Sequence, residues 1–311
     1  MFHAGKLAIR QKPFFGKPSM KVVKSEIHMH STFSDGEFPP HALVELAQRK
    51  KVTILSLTDH DTFKGIEEFL NAAEPAGITA FPGIEITVKY RDFHLHLLGY
   101  FKSAEAISDE LKDKVDAMQQ QREDRMLTLI DKINAVVADP FKGAIRFDNV
   151  KRAAEGVLGR PHLAREMVRL KIVADTFEAF DKYLQPYNIE KRNLTAQEAL
   201  RMIRQSGGIP VVAHPGERQY SLYNPAKGRD FKDIPEMVEE LKSFGLMGLE
   251  CIYPYHERIG IVDFFLEMAD RYDLIPTGSR DFHGYNIPQR NAFGSTRMDG
   301  SFLKRFQEVW G

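Results

Sequence analysis

The chain has 311 residues, 43% apolar and 28% charged, long enough for one large domain or two smaller ones around a sizeable core. Acidic and basic residues balance at 43 each, which excludes an overall field for polynucleotides or membranes and leaves any anionic substrate to a local positive site. A single cysteine, Cys251, excludes an internal disulfide and fits a reducing, cytoplasmic setting.

Residues 1–20 read as an extension. Lys6, Arg10, Lys12 and Lys17 surround only three consecutive apolar residues, Leu7-Ala8-Ile9, too few for a signal peptide. The stretch reads either as a poorly ordered tail or as an arm that pairs with a neighbouring subunit. No run elsewhere approaches the ~18 apolar residues of a membrane span, so no membrane partner is expected.

Val22-Val23 opens a strand that runs into a polar turn between Glu26 and Gly36. Side chains at i and i+2 of a strand share a face, so His28 and His30 project together while Met29 turns into packing. Ser34-Asp35-Gly36 can bring a carboxylate over the same spot. Two imidazoles and a carboxylate at a strand end have the geometry of a metal site, although a lone His-x-His is a weak signal.

Pro39-Pro40 start a helix whose stripe Leu43, Val44, Leu46 and Ala47 ends in Arg49-Lys50-Lys51. The run Val52 to Leu57 predicts a strand buried on both faces, ending in Thr58-Asp59-His60-Asp61. A helix through Ile66, Phe69, Leu70 and Ala73 breaks at Pro75 and Gly77. Ile78 to Phe81, a Pro82-Gly83 turn, and Ile84 to Val88 follow, the last with period-two alternation and an acid, Glu85, between two isoleucines. Arg91-Asp92 turns into Phe93 to Tyr100, a strand with His94 and His96 on one face. This β-α-β-α-β order, with polar groups at strand ends, predicts an α/β fold with a parallel sheet or barrel and its site at the C-terminal rim.

Residues 104–191 change character. Leu111, Val115, Met118, Met126, Leu129, Ile130 and Ile133 mark a long charged helix, and shorter helical segments follow around Pro161 to Leu170 and Thr176 to Tyr183. The stretch reads as a helical insertion, a lid or cap, which leaves 21–103 and 192–311 for the barrel. Thr195-Ala196-Gln197-Glu198 is a capping box opening the next helix, which Gly207-Gly208 stops. Strand Ile209 to Ala213 ends in His214-Pro215-Gly216. A helix opens at Asp233, strand Gly248 to Ile252 leads to Tyr253-Pro254-Tyr255-His256, and a helix through Ile261 to Met268 precedes strand Leu274 to Thr277. That strand runs into Ser279-Arg280-Asp281-Phe282-His283-Gly284, and Phe302 to Trp310 form a closing helix.

Among eleven histidines, His28, His30, His60, His96, His214, His256 and His283 lie at or just after predicted strands. Any one alone reads more readily as a buried histidine satisfied by the backbone; together with Asp35, Glu85 and Asp281 they suggest a shared centre. His28-Met29-His30 through Ser34-Asp35-Gly36, Thr58-Asp59-His60-Asp61, Pro82-Gly83-Ile84-Glu85, His96-Leu97-Leu98-Gly99, Ala213-His214-Pro215 and Asp281-Phe282-His283-Gly284 follow an order that resembles the PHP (polymerase and histidinol phosphatase) family. Gly159-Arg160-Pro161-His162 further resembles the stand-alone PHP phosphoesterases that act on nucleotides and short RNA.

The resemblance implies a distorted seven-stranded (β/α) barrel of PHP type, with metals at the C-terminal ends of its strands. It implies His28, His30, Asp35, His60, Glu85, His96, His214, Asp281 and His283 as ligands of two or three divalent metal ions, with Glu85 bridging. By motif position, Asp35 and His60 would share one ion, His96 and His214 another, and His28, His30 and Asp281 the ion that Glu85 ties to its neighbour. The place of His283 stays open. Two departures stand out. Arg280 intervenes between Ser279 and the Asp-Phe-His triplet, where it would alter the loop register, weaken metal binding or grip a phosphate. His94 is an i+2 rival of His96, but Leu97-Leu98-Gly99 matches the motif only with His96 as ligand.

Mixed imidazole and carboxylate ligands suit Mn, Fe or Zn. The expected activity is a metal-dependent phosphoesterase, in which a metal-bridging hydroxide attacks the phosphorus of a nucleotide or short RNA. His256, or less readily His214, would help protonate the leaving oxygen. Arg160 and His162 would grip phosphate from the insertion, a guanidinium matching it bidentately, although Arg160-Pro161 also reads as a plain helix start. Arg218 is a further phosphate candidate, Tyr253 and Tyr255 are candidates for base stacking, Asp59 and Asp61 are supporting residues, and Cys251 is inert. The rivals are a small-metabolite phosphatase of the histidinol-phosphate type and a non-catalytic metal-binding domain.

Overall fold

The structure, a computed structural model, describes residues 22–152, 154, 158–189, 193–285 and 292–311; the extension read over residues 1–20 lies outside them. In chain order the elements are β1 (Val22–Glu26), α1 (Pro40–Lys50), β2 (Ile54–Leu57), α2 (Ile66–Ala73), β3 (Thr79–Tyr90) and β4 (Phe93–Tyr100). The helical stretch holds α3 (Asp109–Val136), α4 (Phe147–Arg152), α5 (Arg160–Arg169) and α6 (Thr176–Ala179). Then come α7 (Ala196–Gln205), β5 (Ile209–Val212), α8 (Ile234–Ser243), β6 (Gly248–Ile252), α9 (Pro254–Ile259), α10 (Val262–Arg271), β7 (Ile275–Gly278), β8 (Arg297–Asp299) and α11 (Ser301–Trp310).

The strands form one mixed sheet in the order β7-β6-β5-β4-β3-β2-β1-β8. Pairs β1–β2, β2–β3, β5–β6 and β6–β7 are parallel, whereas β4 runs against both its neighbours and β8 against β1. The sheet curls into a nearly closed barrel. Its seam is drawn shut by the segments that follow β7 and β1: His30 N–H donates to Phe282 O at 2.8 Å and Phe282 N–H to His28 O at 3.2 Å. Below that contact the Ser279 hydroxyl accepts the N–H groups of Ile27 and His28 at 3.1 and 2.9 Å. The expected barrel forms, with the short edge strand β8 added to the strands read from sequence.

Pro82-Gly83 is not a turn. β3 passes through it unbroken, pairing with β2 over Thr79–Pro82 and with β4 from Gly83 onward. A Cβ at residue 83 would stand 2.5 Å from Ser56 Oγ and 2.9 Å from Leu57 O, so this glycine lets β3 press against β2 where it changes partner.

Burial explains the helices. Leu43, Val44, Leu46 and Ala47 of α1 pack inward as their spacing requires. At α7 the capping box closes, Glu198 Oε2 accepting Thr195 N–H at 2.8 Å and Thr195 Oγ1 accepting Glu198 N–H at 3.2 Å. Helix α3 serves two cores. Leu111, Val115 and Met118 join the barrel core, whereas Met126, Leu129, Ile130 and Ile133 pack with Leu163, Met167 and Leu184 of the helical stretch. Each such side chain contributes about 1.5–3 kcal/mol on burial. Among the described residues no helix is long and apolar enough to cross a membrane.

Candidate metal centre

The strands deliver their polar residues to one end of the barrel. His28 and His30 follow β1, His60 follows β2 and pairs as a bridge with Glu85 inside β3, His96 lies in β4, His214 follows β5, and Asp281 and His283 follow β7. Met29 is buried against the core, as its alternation with the two histidines requires. All nine residues named as ligands converge. His94, on the same strand face as His96, falls outside the donor clusters among the described residues.

At the centre His28 Nε2 lies 3.3 Å from both Glu85 Oε2 and Asp281 Oδ1, while His30 Nε2 lies 3.3 and 3.1 Å from the same two oxygens. His28 Nε2, His30 Nε2 and Glu85 Oε2 are buried without a hydrogen-bond partner. Buried polar atoms of this kind are costly unless something satisfies them. Donors about 2.0–2.2 Å from one ion stand about 3–3.5 Å from each other, so the spacing fits a cation between them. Beside this group, donors of His30, Asp35, His60 and His283 also approach within 4.8 Å of one another, as do those of His60, Glu85 and His96. His283 Nε2 is 3.3 Å from Asp35 Oδ1, which gives it a place beside Asp35 and His60. His96 Nδ1 lies 2.8 Å from Glu85 Oε1 and 3.3 Å from His214 Nε2. Glu85 is thus the shared member.

The electrostatics agree. Burial opposes charge on His28 and His30, but the surrounding carboxylates win: Glu250, Asp281 and Glu85 hold His28 well above its ordinary value, and Asp281 and Glu85 lift His30 to about 10. Burial also opposes ionisation of Glu85, yet His96, His60 and His28 hold it well below the usual carboxylate range. Burial dominates at His96, which falls to about 4, and pulls His283 down as well. A pocket that stabilises positive charge in this way suits divalent cations, which must displace protons to bind. His214 (φ 30°) and Asp281 (φ 50°) hold their donors in the left-handed backbone region, a strain of about 1–3 kcal/mol each that functional sites tend to carry.

Supporting residues fix these donors. Glu250, inside β6, accepts from His28 Nδ1 at 3.0 Å and from His214 N–H at 2.8 Å. The sequence carries the same signal at Glu250 as at Glu85, an acid inside an apolar strand. Asp59 accepts from Ser31 N–H and Oγ at 2.7 and 2.6 Å and from Ser34 Oγ at 2.6 Å, which sets the loop that carries Asp35. Asp61 accepts Thr87 N–H at 2.8 Å and pairs with Arg122 of α3. Cys251 is buried, and burial pushes its thiol up.

His256 is placed differently from its expected role in leaving-group protonation. Its ring is fully buried against Phe265, Nδ1 donates to Cys251 O at 2.9 Å, and Nε2 accepts Gly216 N–H at 2.9 Å. Both nitrogens are committed to the backbone, so it braces the His214 loop. The Arg280 guanidinium is committed elsewhere and lies outside the cavity lining: it pairs with Glu257 and donates from Nε to Thr296 Oγ1 at 2.9 Å. Tyr253 is buried, its hydroxyl 2.7 Å from Glu217 Oε2 and 3.2 Å from Asp281 Oδ2, and its ring offers no stacking face to a base.

The donors open onto a cavity of about 500 Å³ lined by Asp35, His60, His96, His214, Asp281 and His283, together with Glu217, Arg218, Tyr220, Tyr255 and Arg258. Arg160 and His162 stand outside that lining. Arg160 donates to Asn188 Oδ1 at 3.1 Å, and His162 Nδ1 accepts Gly159 N–H at 3.0 Å. Burial lowers the His162 imidazole, opposed in part by the charge of Asp35. Sequence reading missed Glu217, Tyr220 and Arg258, which lie in loops and short elements with no periodicity to mark them.

A family model described as PHP domain matches residues 26–207. Over 271 residues the chain is 29% identical to a 5′-3′ exoribonuclease of Haemophilus influenzae, covering 84% of this chain and 90% of that one. It is 28% identical over 263 residues to a 3′,5′-nucleoside bisphosphate phosphatase of Chromobacterium violaceum, covering 83% and 86%. A solved structure from Bifidobacterium adolescentis, described as a candidate metal-dependent phosphoesterase, superposes with a TM-score of 0.72 at 25% identity, covering 93% of this chain and 97% of that one.

Proposed function

The chain belongs to the PHP domain family and is a metal-dependent phosphoester hydrolase; from that premise we propose that it cleaves a phosphate ester of a nucleotide or of the 5′ end of a short RNA. The observation that carries the reading is the set of buried donors 3.1–3.3 Å apart, of which Asp281 also lines a cavity that holds two guanidinium groups.

In this reading His28, His30, Glu85 and Asp281 hold one ion, Asp35, His60 and His283 a second, and His96 with His214 a third. The ligand types suit Mn, Fe or Zn. When bound, such ions act as Lewis acids on the phosphoryl oxygens and lower the pKa of water. Everything else falls to the chain's own side chains. Glu250 holds the His28 ring so that Nε2 faces the centre, and it fixes the His214 backbone with its other oxygen. The Tyr253 hydroxyl sits between Glu217 and Asp281 and orients the Asp281 carboxylate. Arg218 is the phosphate-binding residue at the cavity wall. Arg160 and His162 serve the part of a longer substrate that faces the insertion, where the ring of His162 already feels Asp35. Residues 104–191 form the cap over a barrel built from 21–103 and 192–311, and the buried single cysteine suits the cytoplasm.

The test is a substrate panel of adenosine 3′,5′-bisphosphate, 5′-phosphorylated oligoribonucleotides and histidinol phosphate, with Mn, Fe or Zn restored. Phosphate or mononucleotide release from the first two is expected. Preferred turnover of histidinol phosphate would move the assignment to small metabolites, and no turnover of any member would leave a metal-binding domain only.

A further inference from the structure

We infer that Gln119 and Arg122 of helix α3 are positioning residues for the metal centre: acting through Asp61, they aim His60 at its ion. The inference rests on the reading above in which Asp35, His60 and His283 hold the second ion. Without the two α3 contacts that ion is lost, while the ion of His28, His30, Glu85 and Asp281 stays.

His60 depends on its backbone for direction. The ring of His28 is oriented by Glu250, and His283 Nδ1 lies 2.8 Å from Asp281 O. His60 Nδ1, by contrast, is buried without a hydrogen-bond partner, so the turn that carries the ring must set its aim. That turn is unusual. The next residue, Asp61, lies in the left-handed region at φ 49°, where an aspartate stays when its surroundings hold it there. Each of the four polar atoms of Asp61 is engaged. Its N–H donates to Glu85 O at 2.8 Å and its Oδ1 accepts Thr87 N–H at 2.8 Å, both on β3. Its carbonyl accepts from Gln119 Nε2 at 2.7 Å and its Oδ2 pairs with Arg122, both on α3. Strand β3 supplies half of the hold and the insertion supplies the other half.

The contact sits where α3 passes from one core to the other. Met118 belongs to the barrel core and Met126 to the core of the insertion. Gln119 and Arg122 lie between them at i and i+3, so both reach the same loop. Three residues further on, Arg125 donates to Ile189 O at 2.6 Å and to Asn188 Oδ1 at 2.9 Å, which ties α3 to the rest of the insertion. Asp61 is fully buried and the Arg122 side chain is only 13% exposed. In so dry a contact, loss of the guanidinium leaves a buried carboxylate to find another partner, and the turn beside His60 shifts with it. The first ion has no such dependence. Its four donors are buried, and Glu85 is fixed by the pairing of β3 with β4. Asp35 of the second ion is exposed to the cavity, so that ion leans most on the aim of His60.

The experiment dialyses wild type, Gln119→Leu, Arg122→Lys and Arg122→Met against a graded series of free Mn and reads the equivalents bound by elemental analysis. Arg122→Met should release one equivalent at a free Mn concentration about tenfold or more above that at which wild type releases it. Gln119→Leu should shift the same step by a smaller factor, and Arg122→Lys should recover part of the loss. The last equivalent to leave should leave as it does in wild type. Turnover of p-nitrophenyl phosphate should fall in kcat with the lost equivalent and return as Mn is raised, with KM little changed. An unchanged binding curve in a variant that keeps the native circular dichroism overturns the inference, as does an equal weakening of every equivalent. A wild type that binds fewer than two equivalents overturns it too, and so does a raised KM at full metal content, which would make Arg122 a substrate contact. Should Arg122→Met fail to fold, Gln119→Leu, which removes one neutral hydrogen bond, decides alone. Should wild type cleave no ester, the phosphoesterase reading fails separately and the binding curves still decide the role of α3.

Discussion

The donor floor of the cavity and the wall beside it are built in opposite ways. His28, His30, Glu85 and Asp281 sit on or just past strands, at most 1% exposed, and the far atoms of their rings are held by buried neighbours such as Glu250. Arg218, Tyr220 and Arg258 sit on a loop and a six-residue helix, and all three are exposed. The floor tolerates little movement because each donor answers to the sheet register. The wall can change without disturbing a strand. Chemistry is placed where the backbone is rigid and selection where the chain is free to vary.

The contrast is tested hardest at Glu85, which approaches His28, His30, His60, His96 and His214 at once. Glu85→Gln should lower kcat/KM by at least about 10³-fold and strip metal from desalted protein, read by elemental analysis. Full metal content in that variant would refute the shared role. Next in size is Glu250→Gln, which touches the floor from behind: competition with a chelator should show metal affinity falling about 10- to 100-fold. Arg218→Ala, by comparison, should raise KM for a phosphate ester about tenfold while metal content stays at the wild-type level. Loss of metal there would erase the distinction between floor and wall.

Smaller effects concern stability. Arg122→Met removes the guanidinium that pairs with the fully buried Asp61 and should cost about 2–4 kcal/mol, read as a lower urea midpoint. A midpoint within error of wild type would mean the cap does not brace the His60 loop. The smallest change is in pH dependence. Burial holds His256 down to about 4, so it folds neutral, while in the unfolded chain it titrates near 6.5. Its contribution is complete above pH 6.5 and is lost as pH falls toward 4, up to roughly 3 kcal/mol. His256→Asn should flatten the stability profile within that window, and an unchanged slope between pH 6.5 and 4 would contradict it.

The floor was legible in the sequence because strand periodicity is strict. An i+2 pair such as His28 and His30 must share a face, and an acid between isoleucines, as at Glu85, must either be buried for a purpose or break the strand. Pro82-Gly83 was misread because the same dipeptide that makes turns also lets a strand change partner at close approach. His256 departs from its expected role, and Arg280 takes up neither a metal-side nor a phosphate-side contact, for a common reason: sequence places a residue near a site but does not say which way it faces. For His256 that was inward, onto Cys251 O and Gly216 N, and for Arg280 away, onto Glu257. The wall left almost no trace, since loop residues follow no period. Only Arg218, through its closeness to His214-Pro215, and Tyr255 drew notice.

The barrel seam carries a final implication. Where the segments that follow β1 and β7 meet, His28 and His30 face Asp281 and His283, residues separated by some 250 positions of chain. An ion there would act as a rivet between the first strand and the segment that follows β7, so its affinity becomes folding energy. A ribosome-bound chain that has not yet emerged past Asp281 cannot complete the central cluster.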